Sequence, residues 1–145
     1  MMDEKHYQAL ERMYLCGPIN QIYKPSISIS HEYSEIEIDV SEDFFHSGRA
    51  VHGSVYFKML DDAAYFAVMS IIPEFFAVTI SFTTYLTKPI SSGRMKSMGK
   101  VVNRNSTQII AESVVYNDNG KEIGRGNGLF VQSKLKLADA MGYRL

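Results

Sequence analysis

The sequence predicts an α+β domain in which an antiparallel sheet curls around one central helix. Three observations carry this. Residues 53–71 form a long apolar segment that is hydrophobic on nearly every side, as expected of a helix wrapped by other elements. Four strand-like stretches follow it, joined by short turn sequences. Strands and helices do not alternate, which excludes a doubly wound parallel sheet. At 145 residues the chain matches one ordinary domain, so a single unit over 1–145 is expected, with its core at about 26–133.

The elements follow in order. Tyr7, Leu10, Met13 and Tyr14 keep a helical spacing, with Asp3 placed to cap and Gly17-Pro18 to terminate, so a helix is expected over 3–15. Ser26 to Ser30 and Ile36 to Val40 each alternate with period two, but in opposite phase. A bulge or tight turn near 31–34 is therefore needed to keep one buried face. Residues 41–52 (SEDFFHSGRAVH) lack a period and read as a loop rich in ligand-contacting groups. In the helix that follows, Ser54, Lys58, Asp61, Asp62 and Tyr65 share one narrow polar stripe. Strands are expected at about 75–87, 94–104, 107–117 and 122–133. Ser91-Ser92-Gly93, Asn103-Arg104-Asn105 and Asn117-Asp118-Asn119-Gly120 between them are turn chemistry, which predicts sequential hairpins. The tail from Leu135 reads as a frayed final helix.

Composition narrows the function. Hydrophobic residues make up 46% and charged residues 21%, as in globular domains and unlike disordered or collagen-like chains. A net charge of −1 lacks the basic footprint of a general nucleic-acid binder. Cys16 is the one cysteine, so neither an intrachain disulfide nor a zinc knuckle is available and a reducing cytoplasm is the expected location. The first ten residues carry acids and no apolar core, and no run approaches ~18 apolar residues, so neither export nor a membrane partner is expected. The four histidines and the carboxylates show no metal-ligand spacing.

The segment from Val51-His52-Gly53-Ser54 to Asp61-Asp62-Ala63-Ala64 resembles the signature of hotdog-fold acyl-CoA thioesterases of the phenylacetate-pathway type, within the 4-hydroxybenzoyl-CoA thioesterase-like superfamily. In that family a His-Gly-Gly opens the central helix, and an Asp or Glu nine residues after the His supplies the catalytic carboxylate. Asp61 stands nine residues after His52. Thr84 to Ile90 resembles the family's Asn-Tyr-Leu-Arg-Pro-Ala stretch, and Gly93–Val102, Glu112–Tyr116 and Gly120–Gly126 resemble its last three strands. Two positions depart from the pattern. Ser54 replaces the second Gly, and His46 stands where an Asn is frequent; a nearby Gly is displaced to position 48.

The resemblance implies hydrolysis of an acyl-CoA or acyl-carrier thioester to free acid and thiol, with coenzyme A as part of the substrate and no separate cofactor. It implies a homodimer formed by sheet continuation, often a dimer of dimers, with an active site shared between subunits. The chemistry follows from the residues. The start of a buried helix offers free N–H groups and the positive end of its dipole to a carbonyl, and Gly53 lets that carbonyl approach the backbone. Ser54 adds an N–H and a hydroxyl. Asp61, about two turns along, would act as general base on water or as nucleophile; the base route requires burial to raise its pKa. His52 would orient the loop or transfer a proton, and His46 would donate a hydrogen bond in place of Asn. Thr79, on the following strand, would reach the carboxylate of a partner subunit. Lys88, Arg94 and Arg104 gather positive charge that suits CoA phosphates. Phe57, Phe66, Phe75, Phe76 and Phe82 would line an acyl tunnel or fill the core. Against all this stand a solvated Asp61 beside a Lys58–Asp62 surface pair, a non-catalytic acyl-CoA or lipid-binding module, and, more remotely, a hydratase.

Overall fold

The long apolar segment forms helix α3 (Gly53–Met69), and a six-stranded antiparallel sheet packs against it. Two earlier helices, α1 (Met2–Cys16) and the single-turn α2 (Asn20–Tyr23), lead into strands β1 (Ser26–Ser30) and β2 (Tyr33–Asp39). Strands β3 (Phe75–Leu86), β4 (Arg94–Arg104), β5 (Ile109–Tyr116) and β6 (Glu122–Lys136) follow the helix. The structure is a computed structural model and describes residues 2–145.

Strand order is β1-β2-β4-β5-β6-β3. The opposite phases of the first two alternating runs are reconciled by a two-residue turn, His31-Glu32, with Glu32 at φ 56°. As a result Ile29, Ile36 and Ile38 all face the core. β4, β5 and β6 are successive hairpins as expected, but β3 is not the neighbour of β4. It pairs with β6 across the whole strand, so Ser91-Ser92-Gly93 ends a crossover rather than a hairpin. Turn residues report that the chain bends; they do not report which strand it rejoins.

Close approach between helix and sheet requires small residues. A Cβ on Gly99 of β4 would collide with the Ala63 carbonyl of α3. Ser34 and Ser113 donate from the sheet to the carbonyls of Ala63 and Leu60 at 2.6 and 2.7 Å, so these buried hydroxyls are satisfied. Around them Met59, Leu60, Val68, Met69, Met95 and Phe130 are fully enclosed. α3 stops at Met69, two residues before the expected end, where the Ile71 and Ile72 N–H groups bond back to Val68 and Met69 in tighter turns; the Ser70 hydroxyl donates to the Ala67 carbonyl and accepts from the Glu32 N–H.

The tail is not a helix. β6 runs to Lys136, a 3-10 turn covers Leu137–Asp139, and Leu137 and Tyr143 are buried. His6 of α1 locks this end: Nε2 lies 2.8 Å from the Met69 carbonyl and Nδ1 2.7 Å from the Tyr143 hydroxyl. A carbonyl only accepts, so Nε2 carries the proton and Nδ1 accepts from Tyr143. No helix of the described residues is long and apolar enough to cross a membrane.

Candidate active site

α3 borders two separate cavities, one at its first residue and one along the polar stripe. At the N-terminus His52 caps the helix, its Nδ1 accepting from the Ser54 N–H at 3.0 Å and lying 2.8 Å from the Ser54 hydroxyl. That capping fits the orienting role read for His52. It also consumes the Ser54 N–H, which is therefore not a free donor to a substrate. The Gly53 N–H has no acceptor among the described residues, and it is the group left to polarise a carbonyl. Loop 41–52 is pinned beside it. Val51 N–H donates to Ile90 and His52 N–H to Phe44, while Phe45 and Val51 form a bridge. A cavity of about 250 Å³ results, lined by His46, Gly53, Tyr56, Leu86 and Lys88 among others. The His46 ring turns onto its own loop, accepting from Gly48 N–H at 2.9 Å.

Eight residues along the helix, Asp61 lies in a second cavity of about 340 Å³. Its floor is α3 and its wall is β3, where the Thr79 hydroxyl donates to Asp61 Oδ1 at 3.0 Å. Thr79 thus reaches the carboxylate of its own chain, not that of a partner as expected from the sequence: strand and helix are adjacent within one subunit. α1 and the turn after it close the cavity with Met13, Tyr14, Gly17 and Ile19, and Phe66 and Phe76 add aromatic lining.

Burial pushes the Asp61 carboxyl up to about 6. The Thr79 hydrogen bond works against this, the neighbouring Asp62 charge adds to it, and Lys58 opposes it. Asp61 is therefore a base with a useful proton affinity near neutral pH and still largely ionised at pH 7. Lys58 and Asp62 are a pair as the i, i+4 spacing predicts, at 2.6 Å, but not a solvated one. Their side chains are 12% and 19% exposed, and the Tyr14 hydroxyl donates to the same Asp62 oxygen at 2.7 Å. Burial beside Asp62 raises the Tyr14 pKa, so that hydroxyl stays a donor. No local signal marks Tyr14 for this place, because its partner is 48 positions away.

Of the three cations assigned to phosphate, only Lys88 lies beside a candidate half-site. Arg94 pairs with Asp39 at 3.1 Å and Arg104 with Glu32 at 3.5 Å. They stand at opposite ends of β4, so the structure does not gather the three into one cluster. Another cavity, about 410 Å³, borders Arg94, Lys96 and Tyr116 away from both half-sites. Its Lys96 is held by Glu35 at 2.9 Å. Phe57 and Phe82 pack edge to face at 5.8 Å with Phe57 substantially exposed, and Phe75 borders a different cavity. Of the five phenylalanines only Phe66 and Phe76 line the Asp61 cavity.

A curled sheet around one helix, with a glycine at the helix start and a half-buried carboxylate two turns along, defines a hotdog protein. Residues 48–123, more than half of the chain, match the thioesterase superfamily model, and the chain belongs to that superfamily. Membership supports a hydrolase. No curated protein sequence matches significantly. Among solved structures, the chain is similar to the PaaI protein from the phenylacetic acid degradation operon of E. coli, with a TM-score of 0.84 and 16% identity over 94% of this chain and 99% of that one. A thioesterase family protein of Silicibacter pomeroyi gives 0.79 and 18% over 88% and 97%. A thioesterase of Haemophilus influenzae gives 0.77 and 12% over 86% and 88%. At these identities the likeness establishes the fold.

Proposed function

We propose that the protein hydrolyses acyl-CoA or acyl-carrier thioesters, with Asp61 as the carboxylate that activates water or attacks, and the Gly53 N–H as the donor to the thioester oxygen. The observation that carries this is Asp61 itself: half-buried, oriented by Thr79 and pushed up to about 6 in a cavity with an apolar wall. A solvated helix residue would show none of these features. Such a carboxylate accepts a proton from water as the water adds to the carbonyl. The developing oxyanion is met by the helix N-terminus, and the tetrahedral intermediate collapses to expel the thiolate. The nucleophilic alternative forms an anhydride that water then opens.

One chain does not complete this site. Eight residues of α-helix separate Gly53 from Asp61, about 12 Å, and the two line different cavities. A second copy must supply the missing half. The free edge of β3 offers the means: it is twelve residues long, at the end of the sheet, with Val78, Ile80, Tyr85 and Leu86 exposed. Pairing two such edges satisfies their backbone groups and covers the apolar side chains, Phe57 included. A homodimer, or a dimer of dimers, of shared sites is the reading adopted. Lys88, beside Gly53, is then the cation nearest the thioester end of CoA.

Two observations favour a binding-only module instead: His46 is tied to Gly48 N–H, and the Ser54 N–H is tied to His52. Thiol release from a panel of acyl-CoAs, acetyl through palmitoyl with phenylacetyl and benzoyl, decides between the readings. Turnover is expected with at least one member; binding without turnover across the panel would establish the module and reject the hydrolase.

A further inference from the structure

The Asp61 cavity contains a largely buried ion pair, Lys58–Asp62. Lys58 and Asp62 occupy successive turns of α3 flanking Asp61, and together with Asp61 they are the charged side chains lining that cavity. The Lys58 ammonium lies 5.2 Å from the Tyr14 ring centroid and 5.1 Å from that of Tyr23, so α1 and α2 each hold it by its charge. Tyr14 binds it a second time through Asp62. Three side chains from three helices, Tyr14, Tyr23 and Asp62, thus fix one cation beside one carboxylate. A buried ion pair contributes little stability relative to an apolar pair of the same size, so stability alone does not account for the arrangement.

We propose that Lys58, clamped by Asp62, Tyr14 and Tyr23, is a positioning residue that keeps Asp61 ionised in its half-buried site. This rests on the reading of Asp61 as the catalytic carboxylate. Asp61 and Asp62 are consecutive carboxylates facing one cavity, and two like charges in a poorly solvated space suppress each other's ionisation. Lys58, sharing the stripe with both, offsets the second charge, while Tyr14 fixes where the Asp62 charge sits. Asp62 and Lys58 act on Asp61 in opposite directions. The groups facing Asp61 are Lys58, Asp62 and Tyr65 of its own helix, the Tyr14 hydroxyl of α1 and the Thr79 hydroxyl of β3. A second copy would add its helix-start loop equally in every variant, so differences between variants isolate the pair.

The test is the titration of the Asp61 carboxyl itself, followed by carbon-13 NMR on the full chain with labelled aspartate, alongside the pH profile of thiol release. Lys58→Met should move the midpoint up by about one pH unit and Asp62→Asn should move it down by a similar amount. The double variant should return toward wild type, and Lys58→Arg should keep the wild-type midpoint. A merely structural pair would slow turnover without opposite shifts. Shifts in the same direction, or none, would overturn the proposal. If Lys58→Met does not fold, Asp62→Asn decides alone, and a midpoint that fails to fall overturns it. NMR reads the carboxyl without turnover, so a wild-type protein that hydrolyses nothing would reject the hydrolase reading while the titration still decides this one.

Discussion

The two half-sites that α3 presents, at Gly53 and at Asp61, differ in what they are made of. At Gly53 the useful group is backbone: an N–H that lacks an acceptor because it opens a helix, uncovered because the residue has no side chain. A Cβ added there would sit 3.0 Å from Leu86 Cδ1, so a side chain at this position requires Leu86 to give way. At Asp61 the useful group is a side chain whose properties come from its surroundings, a strand hydroxyl, a buried cation and a roof from α1. The first half-site depends on local geometry and the second on tertiary packing. They should therefore respond differently to mutation.

The largest effect is expected at the packed end. Asp61→Asn should lower kcat about 10²–10⁴-fold with the fold retained, measured as thiol release beside circular dichroism; full activity would remove Asp61 from the mechanism. At the backbone end, Gly53→Val keeps the N–H but blocks its approach. It should lower kcat/KM about 10–100-fold, with Tm recorded because Leu86 must shift. Thr79→Val should cost less, about tenfold. Because the Thr79 hydroxyl holds the Asp61 pKa down, its loss should move the acid limb of the rate profile to higher pH. In the wild type that limb should rise through about 6 and level off above.

The smallest effect is on stability, and its sign is informative. Asp61 binds its proton more tightly folded, about 6, than unfolded, 3.8. Between those values the folded state holds more protons, so this residue's contribution to stability is full below pH 4 and declines as pH rises toward 6. Asp61→Asn should therefore be more stable than wild type at pH 8, by about 1–2 kcal/mol after allowance for its partial solvation. The gain should vanish below pH 4 in urea titrations. An Asp61→Asn protein no more stable at pH 8 would mean the carboxylate is not held at a cost to the fold.

Legibility in the sequence follows the same division. Local features could be read: the apolar helix, the phase change resolved at Glu32, the hairpins of β4 to β6, and the Gly53 and Asp61 spacing. Features set by distant contacts could not. The crossover that makes β3 a partner of β6 leaves no mark in its turn residues. Lys58 and Asp62 read as a surface pair because nothing near them announces that α1 covers them. The tail read as a frayed helix, yet Leu137 and Tyr143 are buried, with the Leu137 N–H on the Glu74 carbonyl and the Tyr143 hydroxyl on His6. Arg94 and Arg104 looked like members of a free basic cluster because their carboxylate partners lie on a neighbouring strand and in a turn.

On the shared-site reading, one catalytic site needs the Gly53 end of one chain and the Asp61 end of another. Mixing Asp61→Asn with Gly53→Val chains, after dissociation and reassembly, tests it directly. Each variant alone should be nearly inactive. In a mixed dimer one of the two sites combines an intact Gly53 with an intact Asp61, so random reassortment should restore about a quarter of wild-type activity. Recovery near that level is the predicted result. A reassorted mixture no more active than its two components would contradict the shared site.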